Sequence, residues 1–333
     1  MQCQCARTAA PLSVRVVIGR APLVSNAHLC RQAFSTPSTG VDARVLSAGE
    51  LRCMLRCLRA RVEQTFDQGD GMGKVVVFSN QKGGVGKTTL AVLYAFWQRE
   101  KHDRSVCLID LDTQGNASKT LRAYAQGVGA AGLFARETEV KDQLAGEGRL
   151  ALAPASRNLA DVELAKAEVA IPVFRRNVEA LSSLFDVVII DTPPALGLRM
   201  SASLIAATDV VCPIELEEYS IDGVTDMLKT VFGVRQRYNP QLRLAGIVLN
   251  RFNPHSVRQK AAMRQLVQSF AEYIVPAHIS TRSAIPEALS QGVSVWALAK
   301  GSARDACLEV REVFELLQRR MDAQDVASSG MPS

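Results

Sequence analysis

The stretch VVVFSNQKGGVGKTT, residues 75–89, constrains the fold of this chain more than any other feature. A short apolar, β-branched run ends in a glycine-rich turn, and the turn opens onto TTLAVLYAFWQRE, which reads as a helix. A strand that passes through glycines into a helix is the setting of a phosphate-binding loop. Gly83, Gly84 and Gly86 let backbone N–H groups turn inward around phosphate oxygens without a side-chain clash. The helix N-terminus adds partial positive charge. Lys87 then reaches the β- and γ-phosphates, and Thr88 offers a hydroxyl to Mg²⁺. One lysine is enough for this task, yet the loop carries a second, Lys82. Gln81 stands where the plain G-x-x-x-x-G-K-[ST] pattern has its first glycine.

From Lys74 the chain keeps alternating. SVCLID (105–110), LALAP (150–154), DVVIID (186–191), VVCPI (210–214), LAGIVLN (244–250) and YIVPAHI (273–279) read as further strands. A helix begins in DVELAKAEVA, and Pro172 is expected to bend or end it. Residues 303–320 form a closing helix with Ala306, Val310, Val313, Phe314 and Leu317 on one face. Continuous apolar strands alternating with helices predict an α/β fold: a single doubly wound, mostly parallel sheet with helices on both faces. The 47% hydrophobic content is enough for a sizeable core over 73–322, with 323–333 as a disordered tail. Ligands of such sheets bind beyond the carboxyl ends of the strands, where the motifs of this chain fall.

Residues 1–72 have a different character. Through residue 73 there is no lysine, the nine basic residues are all arginine, and residues 1–41 contain no acid. A transit peptide has this composition, and so does translated upstream sequence ahead of a true start at Met72. We expect a disordered or misassigned extension with one helix over 47–66, where Leu51, Met54, Leu55, Leu58 and Val62 keep helical spacing. A small DNA-reading domain is the sharper alternative, but no helix-turn-helix pattern supports it. Five of the eight cysteines fall in the first 60 residues, and Cys107, Cys212 and Cys307 are scattered singly. That distribution argues for free thiols rather than a disulfide framework. The C-x-C and C-x-x-x-C pairs have no matching partner pair for a metal.

KGGVGKTT resembles the deviant Walker motif of the ParA/MinD family, and NQKGGVGKTT looks most like ParA (Soj-like) partition ATPases. The resemblance covers about residues 74–320. It implies a Mg²⁺-dependent ATPase in which Gly83, Gly84, Val85, Gly86, Lys87, Thr88 and Thr89 hold the nucleotide, and Lys82 reaches across an ATP-bound homodimer to the partner's phosphates. DLDTQGNAS (110–118) resembles the family's D-L-D-P-Q-G-N switch, with Thr113 in place of proline. By the resemblance Asp112 positions the attacking water and Asp110 lies near the metal. Positioning suffices, because phosphoryl transfer rests on orientation and charge neutralisation. DVVIIDTPP reads as the Walker B strand, with Asp191 emerging from the sheet edge to hold Mg²⁺ with Thr88. Pro213, Glu217, Asp222 and Gly223 match a further family stretch, and Asn250 resembles the adenine contact. EALSQG has Leu289 where the family has proline, and STRSAIP departs from P-R-N-V-R, which counts against Arg282 as a DNA contact.

Three features choose among relatives. The chain ends RRMDAQDVASSGMPS, which lacks the amphipathic basic helix of the membrane-docking members. No apolar run approaches the ~18 residues of a membrane helix, so we expect no membrane partner. Cluster carriers of the family use a C-x-x-C near the C-terminus, where this chain has only Cys307. Residues 227–271 contain no acid but hold Arg251, Arg258, Lys260 and Arg264 among their basic residues. Such a window is either a solvated face or a patch that contacts DNA phosphates without reading sequence; the net charge of +6 permits the second. The resemblance therefore implies a cytoplasmic, nucleoid-associated ATPase. It dimerises on ATP, binds DNA non-specifically and is released when a ParB-like centromere-binding partner stimulates hydrolysis. A positioning ATPase for another cargo, such as a protein cluster or division component, is the next reading. A metal-cluster carrier or metabolic P-loop enzyme comes after it.

Overall fold

The computed structural model describes residues 72–135, 149–216, 220–299, 301 and 303–329. The extension before Met72 with its expected helix, Glu217, and the last four residues lie outside the described residues. Met72–Ser333 forms one compact unit.

Seven parallel strands build one sheet in the order β3-β2-β4-β1-β5-β6-β7. They are β1 Lys74–Phe78, β2 Val106–Asp110, β3 Leu150–Ala153, β4 Val187–Asp191, β5 Asp209–Ile214, β6 Arg243–Phe252 and β7 Ile274–Ser280. The helices that matter below are α1 Lys87–His102, α2 Asn116–Thr120, α3 Leu159–Val162, α4 Ala167–Ser182, α5 Leu198–Ala206, α6 Ser220–Arg237, α7 Val257–Phe270, α8 Ala284–Ser290 and α9 Ala303–Ser329. The doubly wound, parallel α/β architecture expected from the strand pattern is the one found. Among the described residues no helix is long and apolar enough to cross a membrane.

Strand side chains alternate between the two faces. Val75, Val77, Ile109, Val188 and Ile190 pack with Phe174, Val178 and Leu181 of α4 on one side. Val76, Phe78, Leu108, Ile189 and Val248 pack with Leu90, Tyr94 and Trp97 of α1 and Val310, Phe314 and Leu317 of α9 on the other. Helix α1 is buried over most of its circumference because the Tyr94 ring meets Phe314 edge-on at 5.1 Å and stacks on Trp97 at 5.6 Å. The helix that carries the phosphate loop is thus fixed from both sides.

Two expectations change. Pro172 does not end its helix: α4 begins at Ala167 and runs through it to Ser182. Pro172 lies in the second turn, where one N–H bond is lost, and the buried Phe174–Val178–Leu181 face holds the rest. The closing helix does not stop near 320 but runs to Ser329, so 323–329 are not a tail. Beyond Met321, the last buried apolar side chain among the described residues, ionic contacts take over. Lys74 Nζ binds Asp322 at 2.6 Å and Asp325 at 2.9 Å, and Arg243 also pairs with Asp325.

Arg243 is the hub of that end of the sheet. It begins β6, and its Nη2 lies 2.9 Å from the fully buried Asp209 at the start of β5. Burial pushes the Asp209 carboxyl up, and Arg243 pulls it back. Arg243→Ala would leave a buried carboxylate unpaired, a loss of roughly 3–5 kcal/mol. Urea unfolding should show that loss and partial recovery in Arg243→Ala/Asp209→Asn; a loss under ~1 kcal/mol would mean that water reaches Asp209.

Candidate functional site

The carboxyl ends of β2, β4 and β1 lie side by side. The register pairs Asp110 with Asp191 and Asp191 with Phe78, so two carboxylates from neighbouring strands meet beside the start of the phosphate loop. Adjacent strands are about 4.8 Å apart. Both aspartates are fully buried.

Their surroundings differ. Asp110 is held by its own loop: Oδ2 accepts from Ser118 N at 2.8 Å and Ser118 Oγ at 2.6 Å, and Oδ1 accepts from Asp112 N at 3.1 Å. Asp191 has neither oxygen in a well-formed hydrogen bond. The Thr88 hydroxyl and the Lys87 ammonium are nevertheless close enough to favour its charged form. Burial, then Asp110, push the Asp191 carboxyl well above the ordinary carboxylate range. Burial also raises Asp110, against the pull of the Ser118 hydrogen bonds. A buried carboxylate with no partner is costly unless a cation completes it. Asp191 and Thr88 therefore fit a divalent ion. Asp110, also expected near the metal, is paired in register with Asp191, and its carboxylate in addition holds residues 112–118 through three hydrogen bonds.

The phosphate loop is preformed. Asn80 Nδ2 donates to Pro213 O at 2.7 Å, and Asn80 Oδ1 accepts from Lys82 N at 2.9 Å. Gln81 reaches Thr230 of α6 at 2.9 Å. Gly86 caps α1 with φ of 92°, and a Cβ there would meet Asn250 Nδ2 at 2.1 Å. Only glycine meets both conditions. Asn250 in turn donates to Val85 O at 2.9 Å, which fixes the loop from the end of β6.

The two lysines occupy different environments. Lys87 is buried, and its Nζ donates to the Lys82 carbonyl at 2.9 Å across the mouth of the loop. Burial pushes its ammonium down from the usual lysine range, while Asp191 and then Asp112 pull it up. Lys82, Gly83 and Gly84 are exposed. Asp112 is half-buried, with Oδ1 accepting from Gln114 N at 3.0 Å.

Of the expected DNA contacts, Arg251 sits elsewhere. It is the residue after Asn250 and has φ of 50°, unusual for a residue with a side chain. Its guanidinium donates to Gly84 O at 3.2 Å and lies 3.3 Å from Glu215. Arg251 thus belongs to the phosphate-loop end of β6. Arg258, Lys260 and Arg264 are exposed on α7, where Leu266 is the buried anchor. Lys260 and Arg264, four apart, share one face. Arg282 is tied to Glu309 at 2.7 Å and Asp305 at 3.1 Å. The sequence reading missed the structural roles of Asn80 and Ser118. Their one available signal was a polar or charged residue within otherwise apolar or glycine-rich motifs.

Comparison with known proteins agrees with this geometry. A family model described as an AAA domain matches residues 73–244. Protein IncC of Escherichia coli is 40% identical over 258 residues, covering 75% of this chain and 70% of that relative. The chromosome-partitioning ATPase Soj of Treponema pallidum is 30% identical over 258 residues, covering 76% of this chain and 99% of Soj. Among solved structures, an ATP complex of a McdA variant from Cyanothece aligns with a TM-score of 0.65 at 22% identity, over 74% of this chain and 97% of that one.

Asp191→Asn tests the site's electrostatics. A carboxyl whose folded pKa is raised adds no penalty below about pH 4, where both states are protonated, and a growing one as pH rises through the folded value. At pH 8 the nucleotide-free variant should melt a few degrees above the parent, a gain of roughly 1–2 kcal/mol, and the gap should close toward pH 4. ATP hydrolysis should be lost. A variant that is less stable than the parent at pH 8 would show that Asp191 already has a stabilising partner.

Proposed function

The chain belongs to the AAA-domain family that includes the ParA-, Soj- and IncC-type partition ATPases, and from that premise we propose that it is a DNA-partition ATPase worked by an ATP-dependent dimer. The observation that carries the reading is the division between the two loop lysines. Lys87 is buried in the cradle of its own subunit, whereas Lys82 stands exposed in the same loop. A lysine placed there can serve a second nucleotide, held by a second copy of the chain.

In this reading the loop amides and Lys87 hold the β- and γ-phosphates, and Asn250 sits where the adenine is read. Thr88 and Asp191 would hold Mg²⁺, which would neutralise phosphate charge that Lys87 alone cannot balance. Asp112 orients the attacking water from the segment that Asp110 and Ser118 pin. Closing the dimer brings Lys82 to the partner's phosphates and doubles the exposed Lys260/Arg264 face of α7. Phosphate contacts sum, so DNA binding of any sequence follows ATP binding. Hydrolysis, stimulated by a ParB-like centromere-binding protein, reopens the dimer and releases the nucleoid.

Lys82→Ala should keep nucleotide affinity within about threefold of the parent, because its backbone carbonyl, the part that meets Lys87, is unchanged. It should fail to dimerise with a non-hydrolysable ATP analogue in sedimentation velocity. An undiminished dimer would remove the cross-subunit role. Lys260→Glu/Arg264→Glu should dimerise normally and lose non-specific DNA binding. The alanine versions should lower the salt slope by ~1 per lost contact and protomer. Parent-like DNA binding of the Glu variant at several salt concentrations would make α7 only a solvated face.

A further inference from the structure

Arg199 is a buried arginine, 8% exposed, at the start of α5, and nothing above gives it a task. Its guanidinium works in two directions. Nε donates to Glu163 Oε1 at 2.7 Å, and Nη1 donates to the Leu111 carbonyl at 2.7 Å. Glu163, just past α3, uses its other oxygen to accept from Leu198 N at 2.7 Å. Burial works against the Glu163 charge, but the Arg199 and Leu198 hydrogen bonds outweigh it and hold the carboxyl below its usual range. The approach depends on Gly197, where a Cβ would stand 2.4 Å from Glu163 Oε2.

The connection matters because of what Leu111 joins. Its N–H donates to the Asp191 carbonyl at 3.0 Å, and its own carbonyl receives Arg199. Leu111, the residue ahead of Asp112, is therefore gripped on both its flanking peptides by the two ends of residues 191–199, the segment that carries Pro193 and Pro194. Arginine suits this place: its planar fork presents donors in two directions at once, and a lysine ammonium on a flexible stem does not.

We propose that Arg199 is a positioning residue for Asp112, a buried tie through which the segment after Asp191 and the segment after Asp110 move together. Displacement of residues 192–198 pulls on the Leu111 carbonyl and so re-aims the Asp112 carboxylate. Arg199 touches no substrate; it acts through the backbone of its neighbour. The inference rests on the reading of Asp112 as the residue that orients water.

The test compares Arg199→Lys, Glu163→Gln and Asp112→Ala with the parent, all as the full chain. The readouts are steady-state ATP hydrolysis, affinity for a fluorescent ATP analogue, and melting temperature. Arg199→Lys keeps the buried charge but cannot bind Glu163 and Leu111 together. We expect kcat to fall on the order of 10–100-fold, as for a misplaced catalytic group, with analogue affinity within about threefold and a melting temperature within about 3 °C of the parent. Glu163→Gln keeps an acceptor and should fall less. A parent-like kcat in Arg199→Lys beside an inactive Asp112→Ala overturns the inference alone. A kcat that falls only in step with affinity and melting temperature also overturns it, since that is the behaviour of a merely structural ion pair. Parent-like turnover in Asp112→Ala sinks the reading of Asp112 itself, and this inference with it.

Discussion

The structure turns on the contact between Asp110 and Asp191. Parallel register sets the two carboxylates opposite each other at the ends of β2 and β4, inside protein, with Asp191 paired to Phe78 at the end of the strand that launches the phosphate loop. Two buried like charges are unfavourable, and the fold resolves them unequally. Asp110 is satisfied by three hydrogen bonds from its own switch, and Asp191 has no well-formed partner. A site made this way is stable only in part until a cation and phosphates arrive. The stacked aromatics behind α1, the Asn250 brace and the Arg243–Asp209 pair hold the frame rigid while that deficit persists.

The same arrangement explains how nucleotide state can be felt far from the phosphates. Whatever completes Asp191 acts on residues 192–199, and whatever acts on Asp110 acts on residues 112–118. The Leu111 backbone is common to both. The basic face of α7 is joined to the site through β6, whose last residues brace the loop through Asn250 and Arg251 before the chain turns into the helix. The proposed DNA-binding face and the proposed nucleotide site thus lie at two ends of one short piece of chain.

Much of this was legible in the sequence, for physical reasons. The central strands are continuous apolar runs because both faces of the sheet are covered, and among the glycines of NQKGGVGKTT Gly86 marks a position that no Cβ can occupy and Gly84 a left-handed backbone. What escaped were relations between distant residues. The pattern that singled out Asp110 carries no information on the hydrogen bonds that Ser118 makes to it. The acid-free window that included Arg251 does not reveal the turn of its backbone, which sends the guanidinium to Gly84. Pro172 reads as a stop because proline opposes helix locally, yet tertiary burial of Phe174 and Leu181 overrides it. The last helix looked short because its apolar period ends at Met321, while Asp322 and Asp325 continue it through ion pairs with Lys74 and Arg243. Glu163 and Arg199, 36 residues apart, are an ion pair only in three dimensions.

The central claim is that the buried carboxylate of Asp191 is completed only when cation and phosphates bind together. Melting curves of the chain with Mg²⁺ alone, with a non-hydrolysable ATP analogue in EDTA, and with both, test it most directly. The account predicts small shifts from either alone and a shift from the pair well beyond their sum. Equal stabilisation by the analogue with and without Mg²⁺ would contradict it.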